Sequence, residues 1–150
     1  MARSRLGAAC RATARYGSWP SHRYDQSRAM TFLAILLSCT ATDGDTIRCG
    51  RERIRLLGID APEMPGHCRR GRRCVAGDPR ESKRSLALAL RAGPITIARQ
   101  GRDRYGRTLA SVNAGKVNVA CWQLSRRQAS YKARWDSGGV TARACPRVGQ

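Results

Sequence analysis

The spacing of strand-forming stretches and of the turns between them constrains the fold of this chain more than any other feature. The first two stretches alternate about Gly44, which predicts a β-hairpin with that glycine in its turn. Gly58 lies inside the third stretch and indicates a bend, because glycine weakens a regular strand. Pro62 follows and ends that strand, because proline cannot donate to a sheet ladder. The predicted strands cover residues 38–43, 45–49, 52–59, 95–98 and 108–113.

Two helices are predicted after the third and fifth strands. Asp78 is the expected N-cap of the first helix, and Pro79 suits its first helical position. Gly93, followed by a proline, ends this helix. Asn118 is the expected N-cap of the second helix, which runs to about Arg127. Five short strands with a helix after the third predict an α+β fold, a five-stranded OB-type β-barrel with two or three helices.

The chain is 150 residues long and is expected to form one domain. Residues 1–29 contain six arginines and a single acid, without hydrophobic periodicity, and are predicted to be a disordered basic arm. Met30 is an alternative start, in which case this arm is not native sequence. The folded domain is expected over residues 30–150.

The most apolar run covers residues 31–37 and is too short to span a membrane. Two interpretations of it stay open, a buried first strand and part of a secretory signal. We favour the strand, because cleavage near Cys39 would remove the segment that leads into the turn at Gly44. We therefore expect no stable membrane span, and we expect a monomer.

The formal net charge of +19 is extreme for a chain of this length. A basic balance of this size favours polyanionic partners, with nucleic acid first and an anionic membrane surface second. Charge alone does not distinguish a nuclease from a passive nucleic-acid-binding protein.

Seven cysteines are many for a small domain, and Cys10 lies outside the motif-bearing region. The other six form an even set, which predicts disulfides and an oxidising compartment, either the periplasm or the outside of the cell. Reduced, buried thiols in a cytosolic protein are the alternative. Zinc is less favoured, because no C-x-x-C pair is present.

The positions of these six cysteines suggest how they pair. The first two lie symmetrically about Gly44, so a hairpin would place them opposite each other. The next two flank one short loop rich in arginine and glycine, and the last two would tie the tail to the domain. The predicted pairs are Cys39–Cys49, Cys68–Cys74 and Cys121–Cys145.

Acidic and basic residues near the turns supply the parts of a phosphodiester-cleaving site. Asp45, Asp60 and Glu63 can hold a hard cation and activate a water molecule. Arg55 and Arg107 can clamp a phosphate, since a guanidinium group matches phosphate oxygens in pairs. The alternatives are structural: turn chemistry for Asp45, an ion pair with Glu52 for Arg55 and solvation for Glu63.

Four blocks of sequence, in this order, resemble the signature blocks of the staphylococcal-nuclease-like (thermonuclease) family. The resemblance covers about residues 38–125, most of the chain. The blocks are D-G-D-T at 43–46, R-L-L-G-I-D-A-P-E at 55–63, D-R-Y-G-R-T-L-A at 103–110 and V-N at 117–118.

The resemblance implies a role for each matching residue. The implied metal is Ca²⁺, bound by two carboxylates and one backbone carbonyl, beside a general base, two phosphate-binding arginines and a tyrosine near the phosphate. Asp45 and Asp60 match the two carboxylates, and Ala61 matches the residue with the backbone carbonyl. Glu63 matches the general base. Arg55 and Arg107 match the phosphate-binding arginines, and Tyr105 matches the tyrosine near the phosphate.

The tail and one loop depart from the family pattern. No third long helix is evident after about residue 128, and Tyr131 and Trp135 are only loose candidates for a base-binding pocket. The loop from Gly66 to Gly77 and the cysteines have no counterpart in the best-known member of the family.

The favoured function is a Ca²⁺-dependent endonuclease acting on DNA and RNA, and the resemblance implies products with 3′-phosphate and 5′-hydroxyl ends. The alternative is a catalytically inactive OB-fold nucleic-acid-binding module, which the presence of all three carboxylates disfavours. A basic membrane-surface or structural protein held by disulfides gives no reason for the clustered acids and arginines.

Overall fold

The computed structural model describes residues 38–146, which form a mixed α+β domain with three α-helices. The predicted basic arm and the predicted strand over 31–37 lie outside the described residues. The helices are α1 (Pro79–Ala89), α2 (Val119–Ser125) and α3 (Val140–Ala144). The strands are β1 (Cys39–Ala41), β2 (Thr46–Cys49), β3 (Glu52–Leu56), β4 (Ile59–Asp60), β5 (Ile95–Arg102), β6 (Thr108–Ala114), β7 (Val117–Asn118) and β8 (Ser130–Tyr131).

Six of these strands form one sheet, in the order β1-β2-β3-β6-β5, with β7 paired to β6. Only the β3–β6 pair is parallel. The predicted α+β class is confirmed, but the sheet is not closed into a barrel, since no ladder within residues 38–146 joins β1 to β5. The edge strand β1 has only three residues, and α1 packs against it. β4 and β8 form a separate two-stranded sheet.

The predicted first hairpin is present, and its register places Cys39 directly opposite Cys49. The structure forms all three predicted disulfides. Their Cα–Cα separations are 4.2, 6.1 and 5.3 Å, below the limit of about 7 Å above which a bridge requires backbone movement. Cys68–Cys74 closes a surface loop, and Cys121–Cys145 ties α2 to the residue after α3.

The helix caps follow the sequence signals. The Asp78 carboxylate accepts hydrogen bonds from the backbone N–H groups of Arg80 and Glu81, which begins α1. The Asn118 side chain does the same for Ala120 and Cys121 at the start of α2. Such caps satisfy N–H groups that have no partner within the helix.

Several boundaries differ from the prediction. The first strand ends at Ala41 instead of residue 43, and the predicted strand over 52–59 is divided into β3 and β4, which belong to different sheets. β5 continues to Arg102 instead of ending near residue 98, because it bulges between Arg99 and Gly101 and then resumes its pairing with β6. The helix α2 ends at Ser125 instead of Arg127, which adopts a left-handed φ of 55°.

The tail after residue 128 has a fold that no sequence period indicated. Asp136 accepts hydrogen bonds from the backbone N–H groups of Thr141 and Ala142 and from the Tyr131 hydroxyl. The Thr141 hydroxyl donates to the Leu57 carbonyl at 2.8 Å, which fastens the tail to the end of β3. No helix within the described residues has both the length and the apolar composition that crossing a bilayer requires.

The core lies between the sheet and the helices α1 and α2. Each fully buried aliphatic side chain contributes about 1.5–3 kcal/mol relative to an exposed one. The largest of these are Ile47, Ile54, Leu56, Leu57, Ile59, Leu86, Val112 and Val119.

Candidate active site

A cleft of about 1140 Å³ opens beside β3 and β4. The loop closed by Cys68–Cys74, the turn between β5 and β6 and the tail form its other walls. Its lining contains nine arginine and lysine side chains against four carboxylates, which gives it a positive potential suited to polyanions. The basic residues are Arg53, Arg55, Arg69, Arg72, Arg73, Arg104, Arg107, Lys132 and Arg134.

The acidic turn between β1 and β2 is held by a close approach of its backbone to α1. A Cβ atom built on Gly44 would lie 1.9 Å from the Ser82 Oγ and 2.6 Å from the Ala61 Cβ, so only glycine fits there. The Gln123 side chain of α2 donates to the Gly44 carbonyl at 2.8 Å and to the Ser82 carbonyl at 3.0 Å. The turn therefore rests on both α1 and α2.

Asp45 leaves this turn and points inward, with 4% of its surface exposed. Its Oδ1 accepts from Arg55 at 2.8 Å, and its Oδ2 accepts from the backbone N–H of Ala61 at 3.1 Å. Burial raises the pKa of Asp45 to about 7, although the charge of Arg55 and the Ala61 hydrogen bond act to lower it.

Asp60 is on β4 and is 2% exposed. Arg55 donates to its Oδ1 at 3.2 Å, so this one arginine bridges Asp45 and Asp60. Arg72 donates to both Asp60 oxygens, at 2.8 and 2.9 Å, and to the Glu63 Oε1 at 3.0 Å. The result is a continuous chain of alternating charge, Asp45–Arg55–Asp60–Arg72–Glu63.

The structural alternative for Arg55 is not formed. Glu52 pairs instead with Arg99 and accepts from the Thr108 hydroxyl. Hydrogen bonds from Arg99 and Thr108 lower the pKa of Glu52 to about 2. Arg55 pairs with the two buried aspartates instead of with Glu52.

Arg107 and Tyr105 line the same cleft but do not touch the carboxylate chain. Arg107 donates to the Asp103 side chain at 2.7 Å, and its guanidinium is 5.5 Å from the Tyr105 ring centre. Tyr105 is 48% exposed and is also approached by Arg69 at 5.2 Å and Arg104 at 5.0 Å. An exposed aromatic ring among cations can stack on a base beside bound phosphates.

Two further residues of the site, Arg72 and Gln123, were not predicted, and Trp135 was only a loose candidate for a base-binding pocket. Arg72 lies in the arginine-rich loop, where nothing in the sequence separates it from its basic neighbours. Trp135 lies 5.1 Å from the Arg55 guanidinium and 5.5 Å from that of Arg72, in a tail without any periodic signal. Gln123 is fully buried, and a polar residue on a short helix carries no signal of its partners.

The donor chemistry of the carboxylate chain fits a hard cation, because carboxylate and carbonyl oxygens are the ligands that Ca²⁺ takes. Its geometry fits only in part. The oxygens of Asp45 and Asp60 accept hydrogen bonds from guanidinium and amide groups. Within residues 38–146 no three acidic, histidine or cysteine side chains lie close enough together to hold a metal ion.

Comparison with known proteins gives a distant relative but no family. The chain is 35% identical over 83 residues to an uncharacterized endonuclease of Haemophilus influenzae. The match covers 52% of this chain but only 41% of the length of that relative. No family profile matches the chain.

Proposed function

We propose that this chain is a Ca²⁺-dependent nuclease that hydrolyses phosphodiester bonds of DNA and RNA. The observation that carries the proposal is the alternating chain of carboxylates and arginines at one wall of a basic cleft. A relative named as an endonuclease supports nuclease activity in general. The proposed family is the thermonuclease family, on the four sequence blocks described above.

The strand order supports a fold of the OB type. The five longer strands, taken along the chain, lie in the order first, second, third, fifth and fourth, and the third pairs in parallel with the fifth. A five-stranded, partly open Greek-key barrel of this type accommodates a sheet whose edges do not pair.

The site residues divide into proton transfer and phosphate binding. Glu63, a quarter exposed at the cleft wall, is proposed to take the proton of the attacking water. Arg55 and Arg107 are proposed to stabilise the charge that develops on the phosphate oxygens. The 5′ oxygen is the proposed leaving group and takes a proton from solvent water, so the products carry 3′-phosphate and 5′-hydroxyl ends.

Asp45, Asp60 and the Ala61 carbonyl are the proposed holders of Ca²⁺. A bound Ca²⁺ would polarise the phosphate and lower the pKa of a coordinated water molecule. Arg55 lies between the two aspartates and keeps both carboxylates aligned at the end of β3.

The compartment and assembly state are proposals of the same kind. Three disulfides within residues 38–146 are consistent with a location outside the cytoplasm, and we propose the periplasm or secretion. We propose that the protein acts as a monomer.

A labelled single-stranded oligonucleotide tests the chemistry. The parent should yield 3′-phosphate ends in Ca²⁺ and no product in EDTA, and Glu63→Gln should lower the rate by about 10²–10⁴-fold. Glu81→Gln is the matched control, because Glu81 is an exposed acid on α1 paired with Arg84, away from the cleft. Equal rates for Glu63→Gln and Glu81→Gln would remove Glu63 from the mechanism.

One observation favours a second candidate, a nucleic-acid-binding module without activity. The Asp60 and Glu63 oxygens are held by arginine, as expected for a structural ion network. Tight binding of the oligonucleotide with no cleavage at any Ca²⁺ concentration would establish this alternative.

A further inference from the structure

Within residues 38–146, Arg72 is the one arginine that joins a proposed metal ligand to the proposed general base. Its guanidinium donates to both oxygens of Asp60, at 2.8 and 2.9 Å, and to Glu63 at 3.0 Å. Asp60 is 2% exposed, so these contacts supply much of the positive charge that a buried carboxylate requires.

The loop that carries Arg72 is built to hold it there. Cys68 and Cys74 close a ring across a sequence separation of six residues. Inside this ring the Arg72 N–H donates to the Arg69 carbonyl at 3.0 Å, which forms a turn. The Arg72 guanidinium also lies 5.5 Å from the centre of the Trp135 ring. A short covalent ring limits the positions that the side chain can reach, because it removes alternative backbone conformations.

Arg55 and Arg72 differ in how they are attached. Arg55 belongs to the central strand β3, and its side chain is 13% exposed. Arg72 belongs to a surface loop, and its side chain is 33% exposed. A guanidinium on a loop at the edge of the cleft can move away, whereas Arg55 is fixed by its strand.

A divalent cation bound by Asp60 would need the oxygens that Arg72 occupies. It would also place two positive charges beside the guanidinium, which would repel it. The cation and Arg72 therefore compete for the same carboxylate.

We infer that Arg72 is an internal counter-cation that competes with Ca²⁺ for Asp60 and so sets the Ca²⁺ affinity of the site. Displacement of Arg72 also frees Glu63, so that metal binding and release of the general base occur together. The loop closed by Cys68–Cys74 then acts as a tether that keeps Arg72 at high local concentration. This inference rests on the proposed function, because it assumes that Asp60 is a Ca²⁺ ligand.

Calorimetric titration of the oxidised, full-length protein with CaCl₂, without nucleic acid, tests the inference. Arg72→Gln should bind Ca²⁺ about tenfold more tightly than the parent. This factor corresponds to the lower end of the free-energy range for one charge-assisted hydrogen-bonded pair. The lower end applies because the Arg72 side chain is partly solvated. An ordinary structural defect would weaken binding, so the direction of the change is diagnostic.

Arg73→Gln is the matched control, because it removes the same charge from a residue that lies in the same loop and lines the same cleft. Its Ca²⁺ affinity should stay within about twofold of the parent, as expected for an exposed charge. An unchanged affinity in Arg72→Gln, or an equal gain in both variants, would overturn the inference.

A double variant, Cys68→Ser with Cys74→Ser, keeps Arg72 but removes the tether. The Ca²⁺ affinity of this double variant should lie between that of the parent and that of Arg72→Gln. The triple variant, which adds Arg72→Gln to the two serine substitutions, should bind Ca²⁺ as tightly as Arg72→Gln alone. A parent that binds Ca²⁺ while neither change strengthens binding refutes the inference and leaves the proposed function standing. Absence of Ca²⁺ binding in every variant refutes the calcium site itself.

Discussion

Replacing Gly44 with alanine tests whether the close approach of the acidic turn to α1 positions Asp45. The φ of Gly44 is not in the left-handed region, so alanine introduces no backbone strain there. Loss of glycine freedom from the unfolded chain would by itself stabilise the protein by about 0.4–1 kcal/mol. Whether Gly44→Ala destabilises the protein therefore depends on how much its packing cost exceeds this entropic gain.

The packing around Gly44 leaves no room for a methyl group. The new Cβ would lie 1.9 Å from the Ser82 Oγ, which donates to the Gln128 carbonyl at 2.6 Å and cannot rotate away without losing that bond. It would also lie 2.6 Å from the Cβ of Ala61, a residue whose backbone N–H donates a hydrogen bond to Asp45. Overpacking of this kind costs about 1–3 kcal/mol, which outweighs the entropic gain.

Urea unfolding followed by tryptophan fluorescence should show Gly44→Ala destabilised by about 1–2 kcal/mol at unchanged m-value. The same displacement should move Asp45 away from Arg55 and lower the cleavage rate. A variant as stable as the parent or more stable, with an unchanged rate, would show that the turn does not depend on this contact.

Three further predictions follow from the site and the tail. Arg107→Ala should lower the cleavage rate by about 10²–10³-fold with its circular dichroism unchanged, and a change within a few-fold would remove Arg107 from the phosphate clamp. Burial raises the pKa of Asp45 to about 7, and Ca²⁺ binds the ionised form of a carboxylate, so Ca²⁺ affinity should fall as pH drops below about 7. Calorimetry that shows the same Ca²⁺ affinity at every pH between about 8 and 5.5 would contradict this. Burial acts to raise the pKa of Asp136, but hydrogen bonds from Thr141, Ala142 and Tyr131 outweigh it and lower the pKa. The Asp136 carboxylate therefore stabilises the fold at pH values above its unfolded-state pKa, and this stabilisation is lost as pH falls through its folded-state pKa. Asp136→Ala should therefore cost about 2–3 kcal/mol at neutral pH in urea unfolding, and less in acid.

Local signals in the sequence were sufficient for the hairpin, the helix starts and the Cys39–Cys49 disulfide. Each depends on residues close together in the chain: the alternation about Gly44, the caps Asp78 and Asn118, and the symmetrical spacing of Cys39 and Cys49. Backbone geometry alone converts such spacings into contacts, so no knowledge of the remaining fold was needed.

Contacts between distant segments were not predictable in the same way. The sequence gives no measure of the distance between β1 and β5, so it could not show that the sheet stays open. Arg72 reaches Asp60 from a loop that a disulfide closes, and the sequence does not distinguish it from Arg73. Trp135 is brought to the site by hydrogen bonds of Asp136 and Thr141, which join the tail to β3.

Degradation of supercoiled plasmid by the parent and by Asp60→Asn tests the central claim most directly. The parent should degrade the plasmid in Ca²⁺, stop in EDTA and resume when excess Ca²⁺ is restored. Asp60→Asn, which removes the buried charge between Arg55 and Arg72, should lose this activity at the same Ca²⁺ concentration while keeping the circular dichroism of the parent. Degradation that persists in EDTA, or a folded Asp60→Asn that is as active as the parent, would contradict the assignment of a Ca²⁺-dependent nuclease at this site.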